Sequence, residues 1–223
     1  MTEILKSQKH VFWQALLLAV FVFSFGILLG FLLESSRTAE IEGLYNKADI
    51  ELLDVKIQNE LLDLNNINCN AAIQENIKFA DKVYQEAKLL DDYEDASRLS
   101  DSIKIQHTKY DLLRTLFWIN SIKLKQMCNA SYHNLVYLYD YNNPRLDVRA
   151  KQEVFSRLLG EVKQDMGDRV MLIPLAGDNN LASISLLMNS YNVLESELPV
   201  ILIDEKIKIT NLDSEIEIEK YLG

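Results

Sequence analysis

Two cysteines, three histidines and a few short loops are the residues of this 223-residue chain whose types could support chemistry. Cys69 and Cys128 are too few for a disulfide scaffold or a four-thiolate zinc site. His10, His107 and His133 stand far apart without ligand spacing, so structural roles are their default, and neither a metal nor a cofactor is expected. Asp91-Asp92 with Glu94-Asp95 is acidic, but it lacks the glycine and alternating ligands of a calcium loop and reads as a solvated turn. Ala176-Gly177-Asp178-Asn179-Asn180 reads as the approach to a helix with Asp178 or Asn179 as cap, not as a phosphate cradle. Neither GxxxxGK[ST] nor GxSxG occurs. Asn129-Ala130-Ser131 is a glycosylation sequon, usable only outside the cytoplasm.

The elements that must position these residues are segregated along the chain. Residues 11–33 carry no charge, and only Gln14 and Ser24 are clearly polar. A helix of that length spans ~34 Å, enough to cross a ~30 Å hydrocarbon core. The run is longer than the ~7–15 apolar residues of a cleaved signal peptide. It is also apolar on every face, unlike a core helix of a soluble protein. An uncleaved anchor in the lipid bilayer is expected. Gly26 and Gly30 form a GxxxG spacing, which either marks a helix-pairing face or reflects the glycine content common in membrane helices. Lys6 and Lys9 precede the span, and Glu40 and Glu42 follow Arg37 beyond it. The positive-inside rule then makes residues 1–10 a cytoplasmic tail and places residues 34–223 outside. The formal net charge of -10 speaks against nucleic acid as a partner.

Residues 34–132 read as a helical stalk or bundle of three antiparallel helices, the first continuing from the membrane span. Ile41, Leu44, Ala48, Leu52, Val55 and Leu62 recur mostly at steps of three and four. This heptad-like row gives the first helix a means of self-association, and so makes a homo-oligomer an expected partner state. Ile73, Ile77, Ala80, Val83, Tyr84, Ala87 and Leu90 mark the second helix, and Ile103, Tyr110, Leu113, Phe117, Leu124 and Met127 the third. The turn between them falls at Asp91-Asp92 or within Ser97–Ser102. Cys69 opens the second helix and Cys128 closes the third, so an antiparallel hairpin brings them side by side. A Cys69–Cys128 disulfide is expected, and an extracytoplasmic location would let it persist.

Residues 133–223 change character. Strands are expected at 135–139, 170–173, 200–203 and 206–210, the last two joined by the Asp204-Glu205 turn. Helices are expected at 150–163, 181–191 and 213–222, with Asp213 or Ser214 capping the last. The order is βαβαββα, a compact α/β unit.

That order, with Pro199 immediately before the third strand, resembles the thioredoxin fold. The run Glu197-Leu198-Pro199-Val200-Ile201-Leu202-Ile203 is similar to the family's proline-strand motif, although Val200 stands where threonine is usual. The resemblance implies a cis bond at Pro199. Tyr191-Asn192-Val193 resembles the helix end before that motif, but tyrosine and proline are eight residues apart instead of six. The family places Cys-x-x-Cys at the start of its first helix, where the helix terminus lowers the thiol pKa. Taking Gln152 as the family's glutamine puts Leu146 and Arg149 at those degenerate redox positions, and neither supports thiol–disulfide exchange. The resemblance also implies a shallow peptide groove lined or bordered by Tyr141, Asn143, Leu146, Arg149 and Leu198, or a vestigial site that now serves packing. The whole layout resembles uncharacterised archaeal single-pass membrane proteins.

The expected fold class is thus α+β or α/β: a transmembrane helix, an antiparallel helical segment and a thioredoxin-like βαβαββα domain. The expected function is a redox-inactive, extracytoplasmic binding domain for an envelope protein or peptide, with no catalytic residues. The alternatives are a membrane-tethered thiol–disulfide oxidoreductase or its accessory, and a structural spacer.

Overall fold

The structure, a computed structural model, describes residues 2–63, 67–97, 101–142, 144–211 and 215–222. Three long helices come first: α1 (Thr2–Leu62), α2 (Cys69–Ser97) and α3 (Asp101–Cys128). There follow β1 (His133–Tyr139), α4 (Leu146–Met166), β2 (Val170–Ala176), α5 (Ala182–Ser190), β3 (Val200–Ile203), β4 (Ile207–Ile209) and α6 (Glu215–Leu222). The chain divides into two units, Met1–Asn46 and Lys47–Gly223.

The first unit is helical throughout its described length. Its stretch Val11–Ser35 has a mean hydropathy of 2.8 and buries none of its side chains, so it is long and apolar enough to cross a membrane.

In the second unit, the rest of α1 packs with α2 and α3. Lys47 pairs with Glu86 at 2.6 Å and Lys82 pairs with Glu51, so α1 runs antiparallel to α2. Lys109–Asp49 at 2.9 Å and Asn120 Nδ2 donating to Val55 O at 2.8 Å set α1 parallel to α3. Of the expected row on α1, Val55 and Leu62 are buried and Leu52 is half-buried; the side chains of Ile41, Leu44 and Ala48 lie outside the described ones. The described part of the row, Leu52, Val55 and Leu62, therefore serves the chain's own bundle. Asp91-Asp92 lies inside α2, which continues to Ser97, and the part of the other expected turn between Ser97 and Asp101 lies outside the described residues. Aspartate lowers helix propensity only modestly, and no Gly or Pro stops the helix at Asp91-Asp92. The Asp213 or Ser214 cap falls outside the described residues.

The four strands form one mixed sheet in the order β2-β1-β3-β4. β1 pairs parallel with β2, in a register that sets Leu135 opposite Leu172. β3 pairs antiparallel with β1, and β4 antiparallel with β3. β1 is central and covered on both faces, which is why Leu135–Leu138 is a continuous apolar run. Its alternate residues serve opposite cores. Leu135 and Tyr137 pack with Phe155, Leu159 and Val162 of α4 and Ile218 and Leu222 of α6. Val136 and Leu138 pack with Ile184 and Met188 of α5, and with Ala80, Phe117 and Trp118 of the α2–α3 hairpin. Each fully buried side chain of this size contributes about 1.5–3 kcal/mol. The hairpin is thus one layer of the α/β unit's own core.

Several element boundaries shift, most by one or two residues, and the larger changes are in β2 and α4. β2 continues through Pro174, which an edge strand accommodates because one side of it makes no ladder bonds. α4 begins at Leu146 rather than Ala150, with Pro144 just upstream and Asp147 favourably placed in the first turn.

Candidate functional site

The carboxyl ends of β1 and β2 and the start of α4 meet at one end of the sheet. The loop after β1 is held by amide bonding. Asp178 accepts the backbone N–H of Tyr141 at 2.9 Å and of Asn142 at 2.7 Å, and Gly177 N donates to Tyr139 O at 2.8 Å. Gln152 of α4 clasps Asp140, accepting its N–H and donating to its carbonyl, both at 3.1 Å. Asp178 and Asn179 do not cap α5: Leu181 occupies the N-cap without a side-chain bond. Asp178 is engaged by the β1 loop instead, and Asn179 donates to Asp111.

Over this loop lies α3. His107 is 5% exposed and stacks on Tyr141, ring centroids 3.7 Å apart and planes 11° apart. Its Nε2 is 3.1 Å from the Tyr139 hydroxyl, and its Nδ1 is 3.0 Å from Asp111 Oδ2. Asp111 is fully buried, with Arg114 at 3.5 Å, and that guanidinium lies 4.2 Å from the centre of the Tyr110 ring. Burial raises the Tyr110 phenol above its ordinary range. A carboxylate, an imidazole and a phenol in series have the order of a proton relay. With His107 and Asp111 sealed from solvent, the series serves to pin α3 to the strand ends.

The residues singled out by resemblance are dispersed among different environments here. Leu146 opens α4 and is 88% exposed. Arg149, one turn on, lies 3.8 Å from Glu153. Leu198 is 7% exposed and packed in the core, close enough to Gly177 that a Cβ there would sit 2.9 Å from Leu198 Cδ1. The Leu198–Pro199 peptide is cis. Asn143 lies outside the described residues. Cys69 and Cys128 form a disulfide with Cα atoms 5.4 Å apart, joining the ends of α2 and α3. Asn129 follows with φ 49°, ends α3 in the left-handed conformation that asparagine tolerates, and is exposed. Among the described residues, no group of three or more His, Cys, Asp or Glu could hold a metal ion.

At the other end of β1 a second polar group joins the hairpin to the sheet. The β3–β4 turn holds Asp204 at φ 49° and Glu205 at φ 58°, a left-handed pair that a tight hairpin requires. Asp204 pairs with Lys125, contacts His133 Nδ1 at 2.6 Å and accepts the Asn134 N–H at 2.9 Å. Burial opposes its charge, but these contacts prevail and hold its carboxyl below the usual range. Glu205 accepts Trp118 Nε1–H at 2.7 Å and Asn134 Nδ2–H at 3.1 Å, yet burial raises its pKa. Ser121 donates to Asn134 Oδ1 at 2.6 Å, and the Tyr132 phenol, pushed up to about 12 by burial, donates to Ser121 O at 2.9 Å.

Sequence reasoning found Asp178 and Asn179 but gave them another role, and it missed Asp111, Arg114, Trp118 and Glu205. His107/Asp111 and Asp111/Arg114 stand four and three residues apart on one helix, a spacing that could have flagged them. Compared with known proteins, the chain matches no family model, no curated protein and no solved structure.

Proposed function

We propose that this is a single-pass membrane protein, anchored through residues 11–33 with its amino terminus in the cytoplasm. Its extracytoplasmic part carries a redox-inactive thioredoxin-like domain and binds another envelope protein or peptide. Support for the domain reading comes from the sheet order β2-β1-β3-β4, with one parallel and two antiparallel pairings and α4 and α6 on the face opposite α5. Support for its redox inactivity is the start of α4, which presents Leu146 and Arg149, while both cysteines are joined to each other on the hairpin. A disulfide of this kind persists in oxidising compartments, which favours the extracytoplasmic placement.

The observation that carries the binding role is a second apolar row on α1. Ile50, Leu53 and Ile57 are 72%, 61% and 52% exposed, on a helix whose other face is already packed. Contiguous exposed apolar side chains mark interaction surfaces. Isoleucine, leucine and isoleucine at these steps occupy successive a, d and a positions of a heptad, which suits docking against another helix, including that of a second copy. Of the flanking carboxylates, Asp49 is paired with Lys109, and Asp54 accepts a hydrogen bond from Gln58.

Crosslinking in native membranes, compared with the Leu53→Asp/Ile57→Asp double variant, tests this role. Both side chains are exposed, so the fold should survive and the crosslinked species should vanish. An unchanged crosslinking pattern would refute the assignment of the binding surface. Insulin reduction by the purified protein that disappears in Cys69→Ser would overturn the redox-inactive reading.

A further inference from the structure

Asn129-Ala130-Ser131 is the one Asn-x-Ser/Thr triplet in the sequence, and its middle residue is not proline. It links α3 to β1 at the end of the hairpin that the Cys69–Cys128 disulfide closes. Its side chains alternate in environment. Asn129 and Ser131 are exposed, whereas Ala130 is 8% exposed and Tyr132, which follows, only 2%. The acceptor amide and the hydroxyl that completes the sequon are thus both open to solvent, and neither makes a hydrogen bond among the described residues. The last turn of α3 leaves Gln126 and Met127 exposed beside them, so a bulky hydrophilic group on Asn129 displaces no packed side chain there. Asparagine at 129 has a local reason, the left-handed turn at φ 49°. The exposed hydroxyl at 131 has no such reason in packing or hydrogen bonding.

The order of synthesis also leaves the triplet open. Ala130 and Tyr132 share a core cluster with Val136, Met171, Ile173, Val200 and Leu202, all of which follow them in the chain. Until those strands emerge, the core that closes over Ala130 is incomplete, and the triplet is available to an enzyme that needs unfolded chain.

We infer that Asn129 carries an N-linked oligosaccharide, added as the chain crosses the membrane. The donor class is an oligosaccharide held on a lipid phosphate. Asn129 Nδ2 bonds to the anomeric carbon as the bond from that carbon to the phosphate oxygen breaks. The lipid phosphate leaves with the electron pair, and the nitrogen yields one proton to a base of the transferase. This inference rests on the extracytoplasmic placement proposed above, because the modification belongs to that side of the membrane.

The test uses full-length protein from the membranes of its own cells, reduced, alkylated and digested with trypsin. The peptide of residues 126–145 should be heavier by a sugar chain, with fragment ions placing it on Asn129 and leaving Asn134, Asn142 and Asn143 bare. Ser131→Ala keeps the turn and its asparagine, so it should remove the added mass completely without moving the unfolding midpoint; Ser131→Thr should retain it. Protease added to vesicles sealed with the cytoplasmic face inside reports the placement separately. Digestion of residues 34–223 together with an unmodified Asn129 would overturn the inference and leave the placement standing. Protection of those residues would overturn both. Added mass that persists in Ser131→Ala would overturn the sequon as its cause.

Discussion

Replacing Asp204 with asparagine isolates one charge at the join between hairpin and sheet. Asparagine has nearly the same shape and tolerates the positive φ of 49° at this position, so the turn itself should persist. The amide oxygen can still accept the Asn134 N–H, but the attractions to Lys125 and His133 lose their anion. Hydrogen bonds to charged groups contribute about 1.5–3 kcal/mol each when well buried. These side chains keep roughly a fifth to a quarter of their exposure, and removing the charge also relieves repulsion on Glu205. A net loss of about 2 kcal/mol near pH 7 is therefore expected, a fall of about 4–8 °C in Tm for a unit of this size. Urea unfolding followed by Trp118 fluorescence, in a Trp13→Phe background, measures it. The sign with pH is definite. The Asp204 carboxyl is held below 3.8 in the fold, so its contribution is fully present above that value and is lost as pH falls through the lower, folded-state value. The gap between the two proteins should narrow as the pH drops below about 4. Glu205 carries the opposite sign, but it titrates in both proteins and largely cancels. A loss under about 0.5 kcal/mol, the worth of an exposed ion pair, would refute the reasoning, as would a gap that does not narrow in acid.

Breaking the disulfide by Cys69→Ser should lower stability by about 4 kcal/mol in the chain-entropy treatment of a loop this long, read as a shift in urea midpoint that reductant reproduces in the unaltered protein. An unchanged midpoint would mean that the hairpin is closed equally well by its packing. Asp111→Ala should cost about 1–3 kcal/mol, because it removes the buried carboxylate that His107, Arg114 and Asn179 all face. The Asp111→Ala/Arg114→Ala pair should cost less than the sum of the two single changes; strict additivity would show that the two groups are not coupled.

Local pattern made much of the architecture legible. The uncharged run at 11–33 announces a helix able to span a bilayer, because a membrane-length apolar segment has few other uses. Val200–Ile203 matches its expected strand without adjustment, being a short β-branched and apolar run between Pro199 and a turn. Cys69 and Cys128 were paired correctly because an antiparallel hairpin equates positions symmetric about its turn. The polar groups were harder. Asp178 and Asn179 have the composition of a helix cap, yet they are taken by the β1 loop and Asp111, partners distant in sequence. Trp118 and Glu205 are 87 residues apart, and no periodicity relates them.

Periodicity along α1 shows the division most clearly. By itself the sequence determined that this stretch is helical and that residues such as Leu52, Val55 and Leu62 share a face, since both follow from spacing along one chain. Which partner that face would meet was not contained in the spacing. Only the tertiary structure assigned it to the chain's own hairpin and left Ile50, Leu53 and Ile57 outward. A hydrophobic row gains about as much against any complementary apolar surface, so pattern selects the face while three-dimensional packing selects its neighbour.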